Sequence, residues 1–266
     1  MLIELELAGR RWRADSDYCF DLAIRLEFDG PQPRFFAEHP ASAAPMLSGS
    51  FVGSVERGAS CNCDVLTLAP HCHGTHTECV GHVTQDKMQI SALTPAPLML
   101  AALLSTEPSC FAGEEADRVI SADKLAAAAE PWADDPWTGL VVRTIPNGPS
   151  KKTRSYAGPC PAPYFTSDAM RWIVQRQVSS LVVDLPSLDR ADDGGALAAH
   201  REFWGLPPGA TDATLAERAQ ALVTELAFVA DEIPDGLYLL DLQIPAFACD
   251  AAPSRPVIYP VTEIET

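Results

Sequence analysis

The sequence predicts an α/β protein, on three observations. Leu2 to Leu7 (LIELEL) and Phe20 to Phe28 (FDLAIRLEF) alternate apolar and polar residues with the period of two that half-buried strands show. Gly139 to Thr144 (GLVVRT) and Leu181 to Asp184 (LVVD) are short, β-branched apolar runs, the pattern of strands buried on both faces. Between such strands lie segments of helical spacing, Ser121 to Ala129 and Asp168 to Arg176. No internal repeat, low-complexity tract or linker interrupts the chain, so residues 1–266 read as one domain.

Taken in order, Leu2 to Leu7 is a strand with one wet face, and Arg10-Arg11 reads as the turn after it. Asp29-Gly30-Pro31 closes the strand from Phe20 to Phe28. The proline-rich segment from Pro31 to Pro45 carries Phe35, Phe36 and His39. It suits a lid or a dimer contact, with core packing the simpler role for the two aromatics and a solvated loop for His39. Cys63 to Leu68 (CDVLTL) is a short strand, and Pro97 to Leu104 a buried one. Ser121 reads as the N-cap of the first helix, with Asp123 in its first turn. Tyr156 to Pro163 is a turn-rich loop. Ser167 is placed to cap the next helix, in which Ala169, Trp172 and Ile173 share a face. Thr214 to Thr224 reads as an amphipathic helix, Leu237 to Pro245 as a buried strand, and Val257 to Ile264 as a final edge strand.

Composition narrows the partners. A formal net charge of −17 argues against nucleic acid or an anionic membrane surface and says little about a small-molecule substrate, because a pocket can differ locally from the whole. No apolar run is long enough to span a bilayer, and MLIELELAGRRWRAD lacks the layout of a signal peptide. The eight cysteines contain no CxxC pair, which suits a reduced, cytoplasmic protein whose cysteines are mostly small core residues.

The chemistry concentrates in residues 70–86, PHCHGTHTECVGHVTQD. Four of the six histidines fall here, His71, His73, His76 and His82, with Cys72, Glu78, Cys79 and Asp86 among them. Imidazole, thiolate and carboxylate are the ligands of borderline divalent cations, and Gly74-Thr75 lets the backbone turn closely between them. Alternate residues of an extended chain share a face, so His76 and Glu78 point the same way, as a chelate needs. His82 lies farther along, across the pocket.

Gly74-Thr75-His76, the acid at Glu78 and His82 resemble the HxGTHxDxxxH signature of the cyclase family, which includes bacterial kynurenine formamidases (arylformamidases) and isatin hydrolases. Two positions depart from the signature: Cys72 stands where the first histidine belongs, and Glu78 replaces an aspartate. The resemblance implies a swivelling β/β/α fold with a mixed sheet and a metal-dependent amide hydrolase, with Zn or Mn as the cofactor. By position it assigns Cys72, His76 and Glu78 as metal ligands, and His200 and Glu225 as completing a second metal position. The aspartates of Asp184-Leu-Pro-Ser187-Leu-Asp189 precede His200 in the family's manner. His82 becomes the general acid or base, since imidazole titrates near neutral pH. The implied substrates are amides of aryl compounds such as N-formylkynurenine. Phe35, Trp172, Phe203 and Trp204 are candidates to face the ring, with core packing the plainer role for each. The implied assembly is a homodimer or higher homo-oligomer.

Two other readings compete. Cys72 as a nucleophile beside His73, His76 or His82 lacks an ordered base and orienting group. A metal-poor member that binds or regulates, rather than catalyses, is motivated by the missing first histidine.

Overall fold

Among the described residues of the computed structural model (all but 8, 94–97, 112–113, 157–160 and 265–266), eleven strands form one mixed sheet. They are β1 (Leu2–Leu7), β2 (Arg10–Asp15), β3 (Phe20–Asp21), β4 (His76–Glu78), β5 (Met99–Thr106), β6 (Gly139–Thr144), β7 (Ser180–Val183), β8 (Leu222–Glu225), β9 (Gly236–Gln243), β10 (Ala251–Pro253) and β11 (Arg255–Ile264). The spatial order is β1-β2-β11-β9-β5-β6-β7-β8-β4-β10, with β3 on β11. The four central strands, β5 to β8, run parallel, and antiparallel strands flank them on both sides. The protein is therefore α/β with a mixed sheet, as the sequence predicts.

The parallel strands are apolar on both faces because both are covered. Leu100, Ala102 and Leu104 of β5 pack with α1 (Ala122–Ala129), α2 (Ser167–Gln175) and α3 (Ala198–Trp204), whose Leu125, Ile173 and Phe203 are fully buried. Ala101 and Leu103 face the other way, into a second core built with Leu22, Ile90, Val229 and Leu240. Each fully buried leucine contributes about 2 kcal/mol of apolar transfer. The central strands are thus the rigid base from which the site loops leave. No described helix is long and apolar enough to cross a membrane.

Several expectations are corrected. Arg10-Arg11 is not a turn but the start of β2, where Arg10 pairs with Glu263 and Asp135. Phe20 to Phe28 forms a strand only over Phe20–Asp21. Beyond that its backbone bonds elsewhere: Leu22 N to Pro256 O, Leu22 O to Phe228 N, and Ile24 N to the Thr75 hydroxyl. Thr166, not Ser167, caps α2, its hydroxyl accepting from Ala169 N. Ser121 occupies the N-cap position of α1 without a side-chain capping bond.

Thr214 to Thr224 holds a 3-10 turn over Ala213–Leu215 and then β8. The Arg218 guanidinium bonds the carbonyls of Phe203 and Val178, and the β-branched Val223-Thr224 pairs with β7, so tertiary pairing overrides the helical pattern. The strand at the C-terminal end is no edge, lying between β9 and β2. Among the described cysteines only Cys79 is buried, while Cys19, Cys61 and Cys110 are exposed, so the core role fails for most of them. Cys160, Pro97 and residues 157–160 of the turn-rich loop lie outside the described residues.

Candidate metal centre

The histidine segment is shaped by two glycines. Gly74 adopts φ +73°, which turns the chain into β4, and Gly81 sits so close to the Met88 backbone that a Cβ there would lie 2.0 Å from its carbonyl oxygen. Thr75 fixes the entry to β4: its hydroxyl donates to Leu226 O at 2.6 Å and accepts from Ile24 N at 2.8 Å. β4 then pairs with β8 in a register that sets His76 opposite Glu225. The apolar neighbours of Glu225, Leu222 and Val223, anchor β8 in the core and present the carboxylate at the strand end.

Four expected residues converge there. His76, Glu78, His200 and Glu225 are each 4% exposed or less. His76 Nε2 lies 3.5 Å from Glu225 Oε2, and His200 Nε2 lies 2.8 Å from Glu78 Oε1 and 3.3 Å from Glu225 Oε1. His82 reaches in less closely, its Nδ1 3.8 Å from Glu78 Oε2.

The fifth expected ligand is displaced. Pro70–Cys72 is a 3-10 turn rather than an extended strand, so the motif spacing does not carry over to side-chain direction. His71, not Cys72, turns inward, with Nδ1 2.8 Å from Glu78 Oε2 and its ring 5.4 Å from that of His76. Cys72 belongs to neither of the two ligand groups the described residues form, which are His71, Glu78 and His82, and His76, Glu78 and Glu225. In each group one donor atom from every residue lies within 4.8 Å of the others, and Glu78 is shared. His73 is occupied structurally, its Nε2 bonding His39 O at 2.9 Å while Nδ1 meets the Ala69 backbone.

Whether these residues fit a cation is answered by their unsatisfied atoms. His71 Nδ1, His76 Nε2, both Glu78 oxygens and His200 Nε2 are buried without a hydrogen bond, although they crowd one another at 2.8 to 3.5 Å. Buried polar atoms left so are costly, and five in one cluster, all able to offer lone pairs, fit a divalent ion.

The carboxylates of the cluster draw positive charge onto its imidazoles. Burial pushes the Glu78 carboxyl upward, but His82, His200 and His71 outweigh it and hold it well below the usual range. Burial opposes charge on His200, yet Glu78, Asp189 and Glu225 raise it well above the ordinary imidazole value. His71 is desolvated, but its bond to Asp250 and the Glu78 carboxylate beside it push it up to about 10.

Sequence reasoning missed three residues. His71 stood within the histidine cluster but was passed over for Cys72. Asp189 holds His200, with Oδ2 2.6 Å from Nδ1 and Oδ1 accepting from Ala199 N, and was visible only as the end of the Asp184–Asp189 pattern. Asp250 lies beside His71 and His82 and carries no local signal at all. The aromatic candidates are core: Phe203 and Trp204 are fully buried, Phe35 packs on Tyr156, and Trp172 on Trp137.

Comparison with known proteins bears on the family and the fold. The Cyclase family model, described as "Putative cyclase", matches residues 20–190. No curated protein matches the chain in sequence. Among solved structures, isatin hydrolase A from Labrenzia aggregata bound to benzyl benzoate aligns with a TM-score of 0.62 and 16% identity, covering 91% of this chain and 93% of that one. An isatin hydrolase bound to the product analogue thioisatinate gives 0.60 and 15%, with 92% of each chain covered. A predicted metal-dependent hydrolase from Bacillus stearothermophilus gives 0.57 and 14%, over 91% and 97%.

Proposed function

The chain belongs to the cyclase family, and from that premise we propose that it is a metal-dependent hydrolase of an amide bond on an aryl compound. The observation that carries the reading is the set of buried, unsatisfied donors around Glu78. His76, Glu78, His200 and Glu225 hold the ion, with His71 in the place first given to Cys72. Imidazole and carboxylate donors suit Zn or Mn. A bound ion of this kind supplies Lewis acidity and makes water a competent nucleophile near neutral pH.

The chain's own residues do the rest. Asp189 holds the His200 ring through Nδ1, leaving Nε2 aimed at the carboxylates. His82, 26% exposed with Nδ1 3.8 Å from Glu78 Oε2, reaches the cluster from its open side. It acts as general base toward water and as general acid toward the leaving nitrogen. The aryl class comes from the isatin hydrolases that share the fold. Within it an arylformamidase activity on N-formylkynurenine is the finer proposal.

The test compares wild type and His82→Ala, both loaded with Zn²⁺ or Mn²⁺, on N-formylkynurenine and isatin. The expected result is turnover by wild type and a loss of about 10²- to 10⁴-fold in His82→Ala with metal retained. Full turnover in the variant would remove His82 from the mechanism, and no turnover of either amide by wild type would remove the proposed substrate class.

A further inference from the structure

We propose that Asp250 is the positioning residue of the metal centre: it fixes the ring and tautomer of His71, so that His71 offers Nδ1 to the cation. The inference rests on the metal-dependent reading above and assigns a residue outside the motif.

Asp250 reaches the site from the far end of the sequence. It immediately precedes β10, which pairs with β4 in a register that sets Ala251 opposite Glu78. Its backbone is pinned by Cys79 N donating to Asp250 O at 3.0 Å. Its Oδ2 then lies 2.7 Å from His71 Nε2 and 3.6 Å from His82 Nδ1. An ionised carboxylate only accepts, so the proton of a neutral His71 sits on Nε2 and the lone pair is left on Nδ1. That is the atom 2.8 Å from Glu78 Oε2 and without a hydrogen bond.

His200 shows the same device reversed. Asp189 takes Nδ1, and the lone pair is left on Nε2, 2.8 Å from the other Glu78 oxygen. The two histidines thus face opposite oxygens of one carboxylate through opposite ring nitrogens, and each nitrogen is selected by an aspartate.

His71 needs this support more than its partners do. His76 and His200 are locked by packing, at 0% and 1% side-chain exposure, whereas His71 sits on a single 3-10 turn with its side chain 28% exposed. On the open side it meets Asp250 and the tilted ring of His82, 4.2 Å away. Removing the carboxylate frees the ring to rotate and to exchange tautomers, and an outer partner of this kind is worth about 10- to 100-fold in metal affinity.

The experiment measures Zn²⁺ affinity by chelator competition in wild type, Asp250→Asn, Asp250→Glu and, as a control, Asp64→Asn on an exposed strand. It adds the visible spectrum of the Co²⁺-loaded proteins and imidazole ¹⁵N shifts of His71 in the Zn²⁺ form. Expected are a loss of about 10- to 100-fold in Asp250→Asn, partial recovery in Asp250→Glu and no change in Asp64→Asn. The Co²⁺ band should shift in Asp250→Asn, and His71 in wild type should be ligated at Nδ1 with Nε2 protonated. Unchanged affinity and spectrum in Asp250→Asn, or ligation of His71 through Nε2, overturns the role of Asp250 while the metal reading stands. Absence of metal uptake by wild type overturns both.

Discussion

Two carboxylates leave the ends of neighbouring parallel strands, Asp184 after β7 and Glu225 at the end of β8, and both are buried. Around Asp184 each oxygen meets a donor. It accepts from Thr144 N at 2.9 Å, from the Thr144 hydroxyl at 3.0 Å and from Lys151 Nζ at 2.7 Å, and Lys151 is satisfied by Thr144 as well. Burial pushes Asp184 up, and Lys151 restrains the rise. Around Glu225 one oxygen takes Leu188 N at 2.9 Å, but the space beyond is filled by Glu78 and imidazole nitrogens that make no hydrogen bond. Equal burial therefore has two outcomes. The first cluster is closed by its own donors and holds the fold; the second leaves buried polar atoms without a hydrogen bond, in groups that could hold a cation.

The sharpest way to break this contrast is to remove one charge from each cluster. Glu78→Gln deletes the residue shared by both ligand groups, and its metal affinity, read by chelator competition, should fall by more than the ~100-fold expected of an outer partner. Lys151→Met strands the buried Asp184 and should cost about 3–5 kcal/mol of stability in denaturant unfolding of the chelated protein. Its metal content should match wild type. Loss of metal in Lys151→Met would show that the two clusters act as one.

A pH titration sharpens the comparison from the other side. In the metal-free protein His71 is raised to about 10 by Asp250 and Glu78 against the pull of burial, so at neutral pH it carries a proton that a cation must displace. The sign follows. A group raised on folding adds stability that is whole below its unfolded value near 6.5 and is lost as pH climbs through about 10. Between those limits the metal-free protein should lose thermal stability while Zn²⁺ affinity rises, with protons released from both His71 and His200 on binding, read by calorimetry in buffers of differing ionisation enthalpy. Affinity flat over that window would mean His71 binds no cation.

Much of this was legible in the sequence, for reasons that also mark where legibility stops. The buried parallel strands β6 and β7 were readable because continuous β-branched runs have few other uses. His76 and Glu78 were readable because period-two geometry holds inside a strand, and β4 is one. His200 and Glu225 came from resemblance alone, since nothing local marks a histidine in HREFW or an acid in LVTE as facing a site far away in sequence. Asp250 was invisible for the same reason: its role depends on β10 pairing with β4. The helix expected over Thr214 to Thr224 failed because a helical period cannot register that Arg218 is tied to two distant carbonyls.

The smallest expected effect concerns Cys72, where motif spacing and geometry disagree. Counting four residues back from His76 lands on Cys72 only if the chain is regular across Gly74, and it is not. Gly74 is left-handed and Pro70–Cys72 is a tight turn, so the inward direction falls one residue earlier. Cys72 is held by its backbone, its carbonyl accepting from Phe35 N at 3.1 Å, and burial alone pushes its thiol up, which disfavours the thiolate a metal would need. Cys72→Ser should therefore keep Zn²⁺ affinity within about twofold of wild type, whereas His71→Ala should lose at least the ~10-fold that marks a ligand's supporting partner. Both are read in one competition assay. A large loss in Cys72→Ser with His71→Ala unaffected would mean that the turn opens when metal binds and that the motif count was the better guide.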